Sequence, residues 1–359
     1  MSRITDCNCL CVIGMRGIFL FILSLFLLGC GKNDIWVDYS RPKVLPIIKK
    51  DTIKIQDNYV IIQNPYKNKG VLELKGALHN HTDNSLPIDG YGSGDPYRIG
   101  CKFRDEGNFD FYTITDHNVV TGDPGVDGIV WLGNAVEDTK NSQHLCVYNL
   151  PYGYPYKNKG DDIHDLISYY QKIGAVVSYA HPDWDAQLQS NEKISTVNDV
   201  IFVEALNSAE GGSMRAYNIL LSKGENVYCV GVDDYHYNTS WTDPDMCFDK
   251  SFVIAYSDAK EYHSIWKSLL AGCFYASKGA KMDICCEEGV ITVKTSVESD
   301  IDVIGVNVNY PEYGRVVYSV KSSNLLVYEI NEREPVVWVR VSNVHGLAYS
   351  QAFKIIGVV

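Results

Sequence analysis

From residue 72 onward, apolar runs of strand length alternate with stretches of helical period. The run Leu72-Glu73-Leu74-Lys75-Gly76-Ala77-Leu78 alternates as a strand with one buried face does. Comparable β-like runs begin at Phe109, Trp131, Leu145, Gly174 and Asn226. Between them lie helical segments. Asp95-Pro96 caps one that reaches Glu106. A second covers 161–170 and ends at Gly174. Two more, over 213–222 and 258–271, are closed by Gly224 and Gly272. Strands spaced this way with helices between them predict parallel βα units. After Gly279 the helical period is gone. Val290-Ile291-Thr292-Val293-Lys294-Thr295, Ile301-Asp302-Val303-Ile304-Gly305-Val306 and Val336-Val337-Trp338-Val339-Arg340-Val341 are β-type, separated by turns such as Glu287-Glu288-Gly289. The pattern predicts a small antiparallel β-sandwich over 280–359.

Upstream of the alternation, 33–70 is rich in Asp, Lys, Asn, Pro and Tyr, with two short apolar runs, Ile35-Trp36-Val37 and Tyr59-Val60-Ile61-Ile62. It reads as a tether and lead-in. The segment 17–29 is nearly all apolar and follows Arg16. It is short for a membrane-spanning helix and fits a signal-peptide core. It ends in Leu27-Leu28-Gly29-Cys30, which resembles the bacterial lipoprotein signal, where the cysteine becomes the lipidated first residue. A plain secretory signal or a membrane anchor is the alternative. Met15-Arg16-Gly17 makes a normal signal start, which points to Met15 as the initiator. The expected organisation is thus a lipoprotein signal peptide (1–29), a tether and lead-in (30–70), a domain of alternating strands and helices (71–279) and the sandwich (280–359). The expected location is the bacterial cell envelope, facing periplasm or exterior, with a lipid on Cys30 holding the membrane.

The formal net charge of −12 argues against general nucleic-acid binding, which needs a basic face. A metal cluster still binds one phosphate on an acidic protein, because the ions reverse the local field. Of eleven cysteines, seven remain beyond Cys30. That odd number lacks paired-looking spacing; Cys146 and Cys229 fall in strand runs and read as core.

The chemistry lies in the histidines. Of nine, six sit in short polar clusters at the ends of β-like runs. His79 and His81 close the first run and, at i and i+2, share a strand face. Asp116-His117-Asn118 follows the second. Glu137 ends the third, and His144 opens Leu145-Cys146-Val147-Tyr148. His181-Pro182-Asp183 and Asp233-Asp234-Tyr235-His236 follow the last two. Any one such cluster reads as a cap or turn; five in succession read as a metal site. Imidazoles mixed with carboxylates suit Zn, Mn or Fe. His164 and His263 fall on helices and His345 in a turn.

The motifs Leu78-His79-Asn80-His81-Thr82, Ile114-Thr115-Asp116-His117-Asn118, Glu137 with His144, Ala180-His181-Pro182 and Asp234-Tyr235-His236 resemble those of the polymerase-and-histidinol-phosphatase (PHP) superfamily. The resemblance runs over 72–279. The related amidohydrolase superfamily also opens with His-x-His but lacks the Thr-Asp-His-Asn element. The resemblance implies an α/β fold, a distorted (β/α)7 barrel, with two or three divalent ions hydrolysing a small phosphorylated substrate, a phosphomonoester or phosphodiester. Carried over by motif, the ligands are His79, His81, His117, Glu137, His144, His181, Asp234 and His236, with Glu137 as the bridging carboxylate. Asp116 is expected to orient an imidazole. The first motif departs from the family's pattern: Asp89, in Asp89-Gly90, is the displaced ligand, or Asp83 takes its place, or the third ion is missing. A hydroxide held by the cations is the expected nucleophile. Asp234 and His236 stand as both ligands and aids to proton transfer. Trp184, Asp185 and Tyr235 adjoin ligands and are candidates for the cleft wall. Two other readings fit the same residues: hydrolysis of a carbamate or amide, and a non-catalytic cell-surface binding protein.

Overall fold

A computed structural model describes residues 40–85, 94–139, 143–156, 162–184, 188–209, 212–236, 247–310, 312 and 314–359. The leader, Cys30, Asp89 and Asp185 lie outside the described residues. The chain is mixed α/β and mostly strand. It opens on an antiparallel hairpin, β1 (Lys50–Ile55) and β2 (Asn58–Gln63). Then come β3 (Leu72–Ala77), α1 (Pro96–Asp105), β4 (Phe111–Tyr112), β5 (Val130–Trp131), β6 (Asn134–Asp138) and β7 (Leu145–Leu150). The middle of the chain holds α2 (Ile163–Lys172), β8 (Val176–Tyr179), α3 (Asn191–Thr196), β9 (Phe202–Asn207), α4 (Met214–Ser222) and β10 (Tyr228–Val232). After β11 (Phe252–Ser257), α5 (Tyr262–Leu270) and β12 (Phe274–Lys278) the chain is all strand: β13 (Asp283–Glu287), β14 (Val290–Gly305), β15 (Arg315–Glu329), β16 (Val336–Asn343), β17 (Gly346–Ser350) and β18 (Phe353–Val358).

All the described α-helices but α5, whose N-cap Glu261 makes no side-chain capping bond, begin at a side-chain cap. Asp95 accepts from the backbone N–H groups of Tyr97 and Arg98, Asp162 from those of His164 and Asp165, and Ser213 from that of Ala216. Strands β8 to β11 are buried at every position, as strands covered on both faces must be.

Two sheets form. One runs β10-β9-β8-β7-β6; the other, larger, carries β3 between β11 and β4. The expected parallel pairing holds for β3-β4-β5 and for β8-β9-β10. It fails at β7, which runs antiparallel to both β6 and β8, and at β11, antiparallel to β3. The β6–β7 link is too short for the crossover that a parallel pair requires, so a hairpin results. Among the described residues the strands do not close into the (β/α)7 barrel that the resemblance implies. Two isolated bridges, His117–Glu137 and Asn80–Tyr235, tie the sheets together at the strand ends.

The strands after residue 279 are antiparallel, and they continue the larger sheet. Tyr275 of β12 pairs with Ser350 of β17, and Ile62 of β2 with Ile355 of β18. The hairpin in the expected lead-in therefore becomes a sheet member. Ile53, Val60 and Ile62 share a core with Ile291, Ile301 and Val339. A second core gathers Val136, Val177 and Val203 with Trp338 and Tyr349 of β16 and β17. Residues 39–359 form one compact unit. The seven described cysteines are free, and no described helix is long and apolar enough to cross a membrane.

Candidate metal centre

All eight residues matched by motif converge at the ends of strands. His79 and His81 leave β3 on the same side and are fully buried. Asn80, between them, faces away: its backbone N–H and side-chain amide donate to Thr115 Oγ1 (3.1 Å) and the Thr113 carbonyl (2.9 Å). The His81 N–H donates to the Tyr235 carbonyl (3.0 Å), which locks the pair against the end of β10. A side chain at Gly76 would collide with the Phe111 ring, so glycine lets β3 and β4 approach below the site. The β10 register shifts at Gly231, where a Cβ would meet the Phe252 carbonyl. A bulge re-aims the side chains beyond it, and Asp234, just past the end of β10, has a φ of 53°. His181, directly after β8, also has positive φ, 21°. Such backbone costs energy in a non-glycine residue and persists only where its surroundings impose it.

Glu137 is the centre of the cluster. His144 Nδ1 and His181 Nε2 lie 2.9 and 3.1 Å from its Oε1. Its Oε2 is 3.3 Å from His79 Nε2, and 3.4 Å from both His81 Nε2 and His117 Nδ1. Asp234 Oδ1 stands 3.2 and 3.1 Å from the Nε2 atoms of His79 and His81. His236 Nδ1–H donates to the Asp234 carbonyl (2.9 Å), which leaves Nε2 facing His117 Nε2 at 3.4 Å. His79 Nε2 and His81 Nε2 face each other at 3.1 Å.

This donor set fits divalent cations. The buried Glu137 Oε2 accepts no hydrogen bond, although buried carboxylate oxygens ordinarily have a partner. Four groups of ligand atoms lie close enough to share an ion: His81, His117 and His236; His79, His81, Glu137 and Asp234; His79, His181 and Glu204; and Glu137, His144 and His181. Nitrogen mixed with carboxylate oxygen is a donor set for Zn, Mn or Fe. The electrostatics are those of a tightly coupled imidazole–carboxylate cluster: against burial, Asp234 and its neighbours raise His79 well above its usual value, and Glu137 raises His181 to about 9. Burial pushes Glu137 up, but His117 and His79 outweigh it and hold the carboxyl well below its usual range. Asp234 is held low in the same way, against burial, by His79, His81 and His236. Burial, then His236 and His117, push His81 well down, which favours the neutral form that ligates.

A supporting layer surrounds these groups. Asp116 accepts from Thr82 N (2.6 Å), Thr82 Oγ1 (2.7 Å), Ser85 Oγ (3.0 Å) and Thr121 Oγ1. It reaches an imidazole through Ser85, whose Oγ lies 3.2 Å from His81 Nδ1. Asp83 accepts from the Gly94 N–H (2.8 Å) and belongs to none of the four groups. The Trp184 ring stands 5.6 Å from that of His144 and 5.5 Å from that of His181. Tyr235 is buried against Phe103 and Phe248. The remaining histidines stand apart, His263 and His345 exposed and His164 half-buried on α2. The motifs do not include Glu204 of β9, which is fully buried beside His79 and His181. A signal for it exists: Phe202-Val203-Glu204-Ala205-Leu206 sets one carboxylate in an apolar strand, where a charge needs partners.

No family model matches the chain, and no curated protein matches it. Among solved structures, it is similar to a two-domain protein from Bacteroides vulgatus described as containing a predicted PHP-like metal-dependent phosphoesterase. The two share 15% identity at a TM-score of 0.43, over 86% of this chain and 91% of that one.

Proposed function

We propose that this chain is a metal-dependent hydrolase of phosphate esters, with two or three divalent ions at its centre. The observation that carries the reading is the convergence of four buried and two half-buried imidazoles and the buried Asp234 on the buried Glu137, whose Oε2 has no hydrogen-bond partner. His79, Glu137 and Asp234 would hold one ion, Glu137, His144 and His181 a second, and His117 and His236 a third, with His81 serving either the first or the third. Divalent ions, when bound, supply charge that stabilises phosphate oxygens and makes water more acidic. The protein's own part is orientation. His79 Nδ1–H donates to Glu204 and His236 Nδ1–H to the Asp234 carbonyl, so each ring turns its Nε2 lone pair inward. His117 and His236 are the more open members of the set, at 13% and 15% side-chain exposure. His236, the most exposed of the set, is the member placed to pass a proton to solvent. Trp184 offers an aromatic wall beside His144 and His181. The choice of phosphate esters rests on the motif resemblance.

The test is a panel of phosphomonoesters, phosphodiesters and carbamates assayed with Mn, Zn or Fe added to chelator-treated protein. Metal-restored release of phosphate or alcohol from an ester is the expected result. Turnover of carbamates alone would move the chain to another hydrolase class, and no turnover with metal bound would favour a binding protein.

A further inference from the structure

Glu204 and Glu137 are the two fully buried glutamates of the centre, and their surroundings are opposite. Both Glu204 oxygens are saturated. Oε1 accepts from His79 Nδ1–H at 2.7 Å and from the Cys146 thiol at 3.7 Å. Oε2 accepts from the His181 backbone N–H at 2.9 Å and from Asn207 Nδ2 at 3.0 Å. Glu137 Oε2, by contrast, accepts nothing. A carboxylate whose oxygens are occupied by donors is a poor candidate for direct ligation. One that bonds the far nitrogen of a ligating histidine is the usual orienting partner.

We infer that Glu204 is a positioning residue: it holds His79 as the Nδ1–H tautomer and pins the strained turn at His181, so that one side chain sets two ligands of the centre. This inference rests on the metal-centre reading. The His181 N–H bond lies at the residue whose φ is 21°, which an unsupported chain would relax. Asn207 extends the same support, since its amide also reaches Asp234 Oδ2 at 3.3 Å. A glutamine cannot replace Glu204. Three N–H donors converge on two acceptor oxygens, and an amide keeps only one oxygen. Its own N–H groups would then face at least one of those donors.

The test compares the full chain with Glu204→Gln. Zinc affinity is measured by competition against a chelator, and the His79 ring by nitrogen-15 NMR, in zinc-loaded and metal-free protein. In the wild-type chain, the Nδ1–H proton of His79 should exchange slowly and resonate far downfield in both states. Glu204→Gln should lose that signal and bind zinc about 10- to 100-fold more weakly, with unchanged circular dichroism. Unchanged affinity in a variant that has lost the signal overturns the inference. So does a wild-type His79 that carries its ring proton on Nε2, a result that requires no variant to fold. If the wild-type chain binds no zinc but shows the Nδ1–H signal, the metal reading fails and the Glu204–His79 pairing stands.

Discussion

Glu137→Gln is the substitution that bears most directly on the proposed bridge. It preserves shape and removes one charge. Glu137 belongs to two of the ligand groups, whereas His236 belongs to one and is partly exposed. Loss of a residue that only orients a ligand costs about 10- to 100-fold in metal affinity. Loss of a carboxylate that itself holds two ions should exceed that range, which is more than about 2.7 kcal/mol. His236→Ala removes one imidazole from one group and should cost less. Each variant is equilibrated across a chelator-buffered zinc series and its bound metal is measured. The expected order of affinity is wild type, then His236→Ala, then Glu137→Gln, with Glu137→Gln retaining the fewest ions per chain. A Glu137→Gln variant that binds zinc as well as His236→Ala does would refute the bridging assignment.

Other parts of the molecule carry their own expected outcomes. Burial lowers the Lys354 pKa from 10.5 to about 8, although its Nζ donates to the Glu225 carbonyl. The unfolded chain therefore holds this proton through a window where the folded chain has released it, and stability rises with pH from about 8 to 10.5. The gain is about 3 kcal/mol, and Lys354→Met should lose it; parallel urea-unfolding profiles for variant and wild type across that window would contradict this. Asp116→Asn halves the acceptors facing Thr82, Ser85 and Thr121 and should destabilise the fold by about 2–3 kcal/mol in urea; a change under about 0.5 kcal/mol would show that the network contributes little. Cys30→Ser should move the protein from the membrane fraction to the soluble fraction, because a lipid on Cys30 is the proposed attachment; retention with an uncleaved leader would make that segment an anchor helix.

The gathering of histidines is legible in the sequence because each follows an apolar run, and strand ends are where a sheet presents side chains together. Strand direction is less legible. The residues between β6 and β7 contain polar groups that suit a hairpin or a crossover equally, and only the length of the link decides. The union of the C-terminal strands with the rest is set by pairings such as Ile62 with Ile355. That register depends on residues remote in sequence, and local alternation is blind to it. The hairpin of β1 and β2 reads as a lead-in for the same reason, since its partner β18 lies at the opposite end of the sequence. Glu204 escapes motif reading because its contacts, to His79 and His181, come from other strands. Its anomaly as a lone charge in an apolar run is visible, but its partners are not.

The central claim is that the buried cluster holds divalent ions. Elemental analysis of the full chain, purified without chelator, tests it most directly. At least two divalent ions per chain are expected, since Glu137 links two of the ligand groups. A stoichiometry below one, unrestored by added Mn, Zn or Fe, would contradict the account.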